Sequence, residues 1–144
     1  METTDTIKLL QECDAGAKMA VSSIDDVLEK AETSELKHIL QASKNHHEML
    51  GNEIHSLLDR HGSEEKEPLP IARGMSWLKT NLKTSLNDSD AAVADLIVDG
   101  CNMGIKSLHK YQNQYKMADT ESKNLCGRLI GIEEALREEL TRYL

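Results

Sequence analysis

The chain has 144 residues, a formal net charge of −8, two prolines, no phenylalanine and 3% aromatic residues. A chain of this length can bury about two thirds of its unfolded surface in one core without disulfides, and its acidity argues against nucleic acid, whose affinity comes from clustered Lys and Arg that release counterions. No apolar run approaches the roughly 18 residues that cross a bilayer, and "METTDTIKLL" has no basic segment leading into an apolar one, so a cytoplasmic protein without membrane contact is expected.

Scarce aromatics together with abundant Leu, Ala, Lys and Glu predict an all-α chain, because sheet cores draw on aromatic and β-branched residues. The first helix is expected over 4–31, where Ile7, Leu10, Asp14, Ala17, Val21, Ile24, Leu28 and Ala31 recur at threes and fours. "AETSE" leaves room for little more than a capped joint, so the second helix, over 34–61, must fold back as an antiparallel partner. Its stripe runs Leu36, Leu40, Ser43, His47, Leu50, Ile54, Leu57 and His61, with polar members in the middle.

A charged, Pro-containing break follows, then a shorter stripe of Ile71, Met75, Leu78, Leu82 and Leu86 that predicts a short helix over 69–86 inside a long connection. Trp77 sits about 100° from Leu78 on that helix, outside the stripe. It either tucks against the flank of a neighbouring helix or anchors a second copy, so Trp77 is the interface candidate for a homodimer. The next helix is expected over 89–117 through Val93, Ile97, Cys101, Gly104, Leu108, Tyr111 and Tyr115. After the short joint "ADTES" comes the last, over 120–143, through Ser122, Leu125, Leu129, Ile132, Leu136, Leu140 and Tyr143.

Two antiparallel hairpins joined by a long connection predict a single domain over 1–144 with the ferritin-like four-helix bundle architecture. "MAVSSI", residues 19 to 24, matches "MGIKSL", residues 103 to 108. The match reads either as a duplicated hairpin or as two helices sharing an amphipathic pattern.

Candidate chemistry concentrates in "SKNHHEMLGNEIH", residues 43 to 55. His46 and His47 are adjacent, diverge by about 100° on a helix and do not share an ion readily. His47 lies on the buried stripe and His46 at its margin, while Glu48 and His55 lie on a polar stripe where they could hold zinc weakly. The plainer reading is a solvated helix face plus one core histidine hydrogen-bonded to Ser43, Tyr111 or Tyr143.

Cys13, Cys101 and Cys126 are odd in number and far apart, which indicates small buried residues rather than a disulfide framework or a zinc knuckle. Cys101 falls in an apolar stripe where a thiol stays protonated and inert. Met19 and Met103 occupy matching places in the two hairpins and could ligate haem or copper, but the plainer reading makes them fillers of core gaps, and Asp14 and Asp99 read as carboxylates at the solvent end of their stripes. No P-loop, GxGxxG, HExxH or GxSxG motif is present.

The segments "GMSWLKTNLKTSLNDSD" and "ADLIVDGCNMGIKSLHKYQNQYKMAD" resemble an uncharacterised bacterial family of the ferritin-like superfamily, most closely from Gly74 to Asp119. The resemblance implies the same bundle with its crossover helix and implies no activity. Di-iron members of the wider superfamily carry a Glu on each of two helices and Glu-x-x-His on each of the other two. Here the middle of the first helix offers Ala17, Lys18, Met19 and Val21, and that of the third offers Cys101, Asn102, Met103 and Gly104. His46 is preceded by Ser43 at the required spacing, and Glu133 is followed by Leu136. The expectation is therefore a non-enzymatic structural or interaction protein without cofactor. The alternative is a metal-binding or redox protein with a non-standard site near His46 and His47.

Overall fold

A computed structural model describes residues 3–62 and 89–144, and four long helices account for most of them: α1 (Thr3–Leu28), α2 (Ser34–Arg60), α3 (Asp90–Gln114) and α4 (Thr120–Leu140), the last followed by a 3-10 turn at Thr141–Tyr143. They form a ferritin-like four-helix bundle, all-α as the composition predicts. The expected connection helix over 69–86 and Trp77 lie outside the described residues.

Each joint is written in the sequence by a capping residue. Thr33, Ser89 and Asp119 adopt extended backbone, and their side chains accept from the amides of Leu36, Ala92 and Ser122, which satisfies a donor that the first helical turn leaves open. α2 ends at His61 and Gly62, where the chain turns with φ +69°, a conformation glycine adopts without strain. α1 and α3 stop about a turn short of the expected 31 and 117. At the first, Lys30 and Ala31 bond three residues back, to Val27 and Leu28; at the second, Tyr115 leaves helical geometry at ψ 61°.

The two hairpins are tied to one another at both ends by reciprocal bonds. At one end Asp90, in the first turn of α3, accepts from the amides of Glu32 and Thr33 in the α1–α2 joint, at 2.7 and 3.3 Å. At the other, Asp5 accepts from Met117 N at 2.9 Å and Thr6 Oγ1 from Asp119 N at 2.8 Å, in the α3–α4 joint. These ties make α1 antiparallel to α3 and parallel to α4. α2 and α3 start at the same end of the bundle, so Gly62 and Ser89 lie at opposite ends.

The core divides into two clusters. One gathers Leu9, Leu10, Cys13, Leu50, Ile54, Leu58 and Leu129, and the other Ile24, Val27, Leu36, Leu40, Val93, Ile97 and Leu140. Between them, near mid-bundle, lie the buried polar side chains of Ser43, His47 and Glu133. Asp14 departs from the sequence expectation: it is 2% exposed rather than at the solvent end, because Lys18, one turn on, covers and pairs with it at 3.0 Å. Met103 also departs, at 46% exposed. It occupies the α3 flank that faces α1, not the core.

Candidate functional site

His47 stands on α2 and Glu133 on α4, each fourteen residues beyond the N-cap of its helix, Thr33 and Asp119. The burial pattern keeps that register: Leu36, Ile39, Leu40, Ser43, His47, Leu50 and Ile54 correspond to Ser122, Leu125, Cys126, Leu129, Glu133, Leu136 and Leu140, all buried. The two residues are thus equivalent positions of the two hairpins, brought face to face where antiparallel α2 and α4 cross the middle of the bundle. This register and the reciprocal ties favour the duplicated-hairpin reading of the short repeat.

The imidazole is fully buried. Its Nδ1 lies 2.8 Å from the carbonyl oxygen of Ser43 and 3.4 Å from the Ser43 hydroxyl. A carbonyl only accepts, so Nδ1 carries a hydrogen and Nε2 is either a bare lone pair or the second N–H of an imidazolium. Nε2 is 3.4 Å from Glu133 Oε2, an ion-pair contact slightly longer than a hydrogen bond. Burial by itself depresses the imidazole, but the Glu133 carboxylate and the Ser43 carbonyl outweigh it, and the net effect raises His47 above its ordinary value of 6.5.

Glu133 is 8% exposed and has two further neighbours on α3. The Cys101 thiol donates to Oε2 at 3.6 Å. Burial first, and then the adjoining carboxylate, push that thiol far above its ordinary range, so Cys101 is no ready nucleophile. On the other side, a Cβ built on Gly104 would fall 2.8 Å from Glu133 Oε1. Glycine therefore makes the room in which the carboxylate lies. Gly104→Ala should push the carboxylate away from His47 and lower the imidazole titration midpoint, read by NMR. An unchanged midpoint would mean that Gly104 does not position Glu133.

The remaining sequence candidates do not converge on this pair. His46 is exposed and lines a groove between α2 and α4 with Met49, Gly131 and Ile132, on the side of α2 away from Glu48. Glu48 and His55 line a cleft of about 530 Å³ between α1 and α2, where Asp14, Lys18 and one edge of His47 also lie. His55 is 3.5 Å from Asp59 on its own helix. Among the described residues, no group of three or more His, Cys, Asp and Glu side chains is arranged to hold a metal ion.

Sequence reasoning placed Ser43 among the partners of His47 and missed Glu133 as one. The stripe expected from the sequence of α4 runs through Ile132, whereas the structure buries Glu133 and leaves Ile132 half-buried. Equal distance from two N-caps was the signal available. Reasoning also missed that Cys13 and Cys126 meet across α1 and α4, where their hydrogen bond and then burial push the Cys13 thiol up.

A di-iron centre of the superfamily type does not fit these residues. The imidazole of His47 and the carboxylate of Glu133 are already directed at each other. α1 contributes Ala17 and Val21 to the wall beside His47, and α3 contributes Cys101 and Gly104 beside Glu133. α1 also brings Asp14 to the cleft beside His47 and Glu12 to the cavity beside Glu133, but these carboxylates do not gather with the pair into a group that could hold a metal ion among the described residues, and α3 offers no carboxylate beside Glu133.

No family model and no curated protein sequence matches the chain. Among solved structures, the crystal structure of Dps92 from Deinococcus radiodurans superposes with a TM-score of 0.76 at 12% identity, covering 99% of this chain and 87% of that one. The similarity extends to the fold. No helix among the described residues is long and apolar enough to cross a membrane.

Proposed function

We propose that this chain is a non-enzymatic structural or interaction protein, a single ferritin-like domain whose centre is closed by the His47–Glu133 pair in place of a di-iron site. The observation that carries the reading is the mutual engagement of those two groups. Nδ1 is committed to Ser43, Nε2 faces Glu133, and Glu133 also receives the Cys101 thiol. The elevated thiol speaks against covalent catalysis, and the exposed Met49 and Met117, at 66% and 72%, supply apolar contact area of the kind interfaces use. A homodimer with Trp77 at its contact, a cytoplasmic location and membership of the bacterial family belong to the same proposal.

The test uses Fe(II), the ion a di-iron centre would oxidise. Mixed aerobically with the metal-free protein, Fe(II) should oxidise no faster than in buffer. Saturable acceleration that disappears in Glu133→Leu would overturn the proposal.

A further inference from the structure

The reciprocal end ties fix which residues of α1 and α3 stand opposite. Glu32 with Asp90 at one end and Asp5 with Met117 at the other have residue numbers with the same total. In two antiparallel helices the residues opposite at the middle share that total too, and Met19 and Met103 do. The same two methionines line both cavities on this side of the bundle. One is small, about 60 Å³, and also bounded by Cys101 and Glu133. The other, of about 310 Å³, opens beside it with Met19, Met103, Gly104 and Glu133 in its walls. Met19, Met103 and Cys101 thus share the wall of one small cavity.

That donor set is chemically distinctive. Two thioethers and a thiol are soft ligands, which select a monovalent copper-like cation over hard or borderline divalent ions. Methionine has three rotatable bonds, so both sulfurs can turn into the small cavity without backbone movement. Met103 is 46% exposed, which gives an entering ion a route along its own ligand. Cys101 is 2% exposed at the floor.

We propose that Met19, Met103 and Cys101 form a binding site for a soft monovalent cation, Cu(I) by chemical class, between α1 and α3 beside Glu133. Binding breaks the Cys101 S–H bond and forms one Cu–S bond. Copper remains monovalent, and the proton leaves to Glu133 Oε2, toward which the thiol already points. The cation neutralises a thiolate that burial beside a carboxylate otherwise disfavours. The site adjoins the His47–Glu133 pair, because the Cys101 thiol and His47 Nε2 meet the same carboxylate oxygen, but its ligands are the thiol and two thioethers, and the iron test is run on metal-free protein, so the two readings fail separately.

The test is an anaerobic titration of the reduced, metal-free full-length protein with Cu(I) held by bicinchoninate, whose colour reports copper left on the dye. One equivalent should be withdrawn by the protein. Cys101→Ser, and separately the combined Met19→Leu and Met103→Leu, should each weaken binding by more than the ~10–100-fold that loss of an outer-shell partner costs. Leucine is close to methionine in volume, so the latter variant keeps its fold, checked by circular dichroism. Cys13→Ala with Cys126→Ala should retain the equivalent. No copper withdrawn, affinity indifferent to the methionines, or loss in the Cys13/Cys126 variant would each overturn the proposal, the last by moving the site to the other thiol pair.

Discussion

His47→Leu should destabilise the bundle by about 3–5 kcal/mol at neutral pH, the cost of leaving a buried charge without its partner. The substitution keeps Glu133 at 8% exposure with only the Cys101 thiol beside it. The reverse change should cost less. Glu133→Leu leaves an imidazole that can shed its proton, so the loss is that of one unpartnered buried acceptor, about 1–3 kcal/mol. The two leucines together should return stability to near wild type or above it, because a well-packed apolar pair commonly equals a buried ion pair. Urea unfolding followed by circular dichroism, run as a double-mutant cycle, reads all three values. Equal costs for the single variants, adding without compensation in the double, would remove the ion pair.

The pair also fixes the direction of a pH dependence. The folded protein holds the His47 proton more tightly than the unfolded chain does, since the raised value lies above 6.5. The contribution is therefore complete below about 6.5 and is lost as pH rises through the raised folded value. The urea midpoint of the wild type should fall over that alkaline limb, and that of the leucine pair should not.

The second large effect belongs to the apolar core. Leu129→Ala and Ile24→Ala should each cost about 2–5 kcal/mol, the range for truncating a large buried side chain whose cavity collapses only in part. Leu129 is 1% exposed in one cluster and Ile24 is 2% exposed in the other, so the pair samples both halves of the core. Glu48→Ala, on the exposed face of α2, should change stability by less than about 0.5 kcal/mol. Chemical unfolding of the three variants compares them directly. Similar costs for all three would mean that the helix faces are misassigned.

Much of the bundle is legible in the sequence because threes and fours of apolar residues state which face is buried. Thr33, Ser89 and Asp119 then state where three of the helices begin. The centre is less legible. A stripe drawn by hydrophobicity passes over Glu133, since a carboxylate looks like solvent until the residue opposite is known to be a histidine. Asp14 hides for a related reason: its burial depends on Lys18 folding back over it, which spacing permits but does not dictate. Met103 reads as a core filler from the general habit of methionine and not from the helix stripe, which omits it. Its actual position follows from its place opposite Met19, a register set by the end ties of Asp5 and Asp90 and not by either helix alone.

The middle of this ferritin-like bundle is closed by two of its own side chains, His47 and Glu133, which face each other across 3.4 Å. The most direct measurement is the nitrogen NMR titration of the His47 imidazole in the wild type and in Glu133→Gln. In the wild type, Nδ1 should keep its hydrogen throughout and Nε2 should lose its own with a midpoint above 6.5, while the variant midpoint should fall. A wild-type midpoint below that value, or one indifferent to Glu133→Gln, would contradict the account.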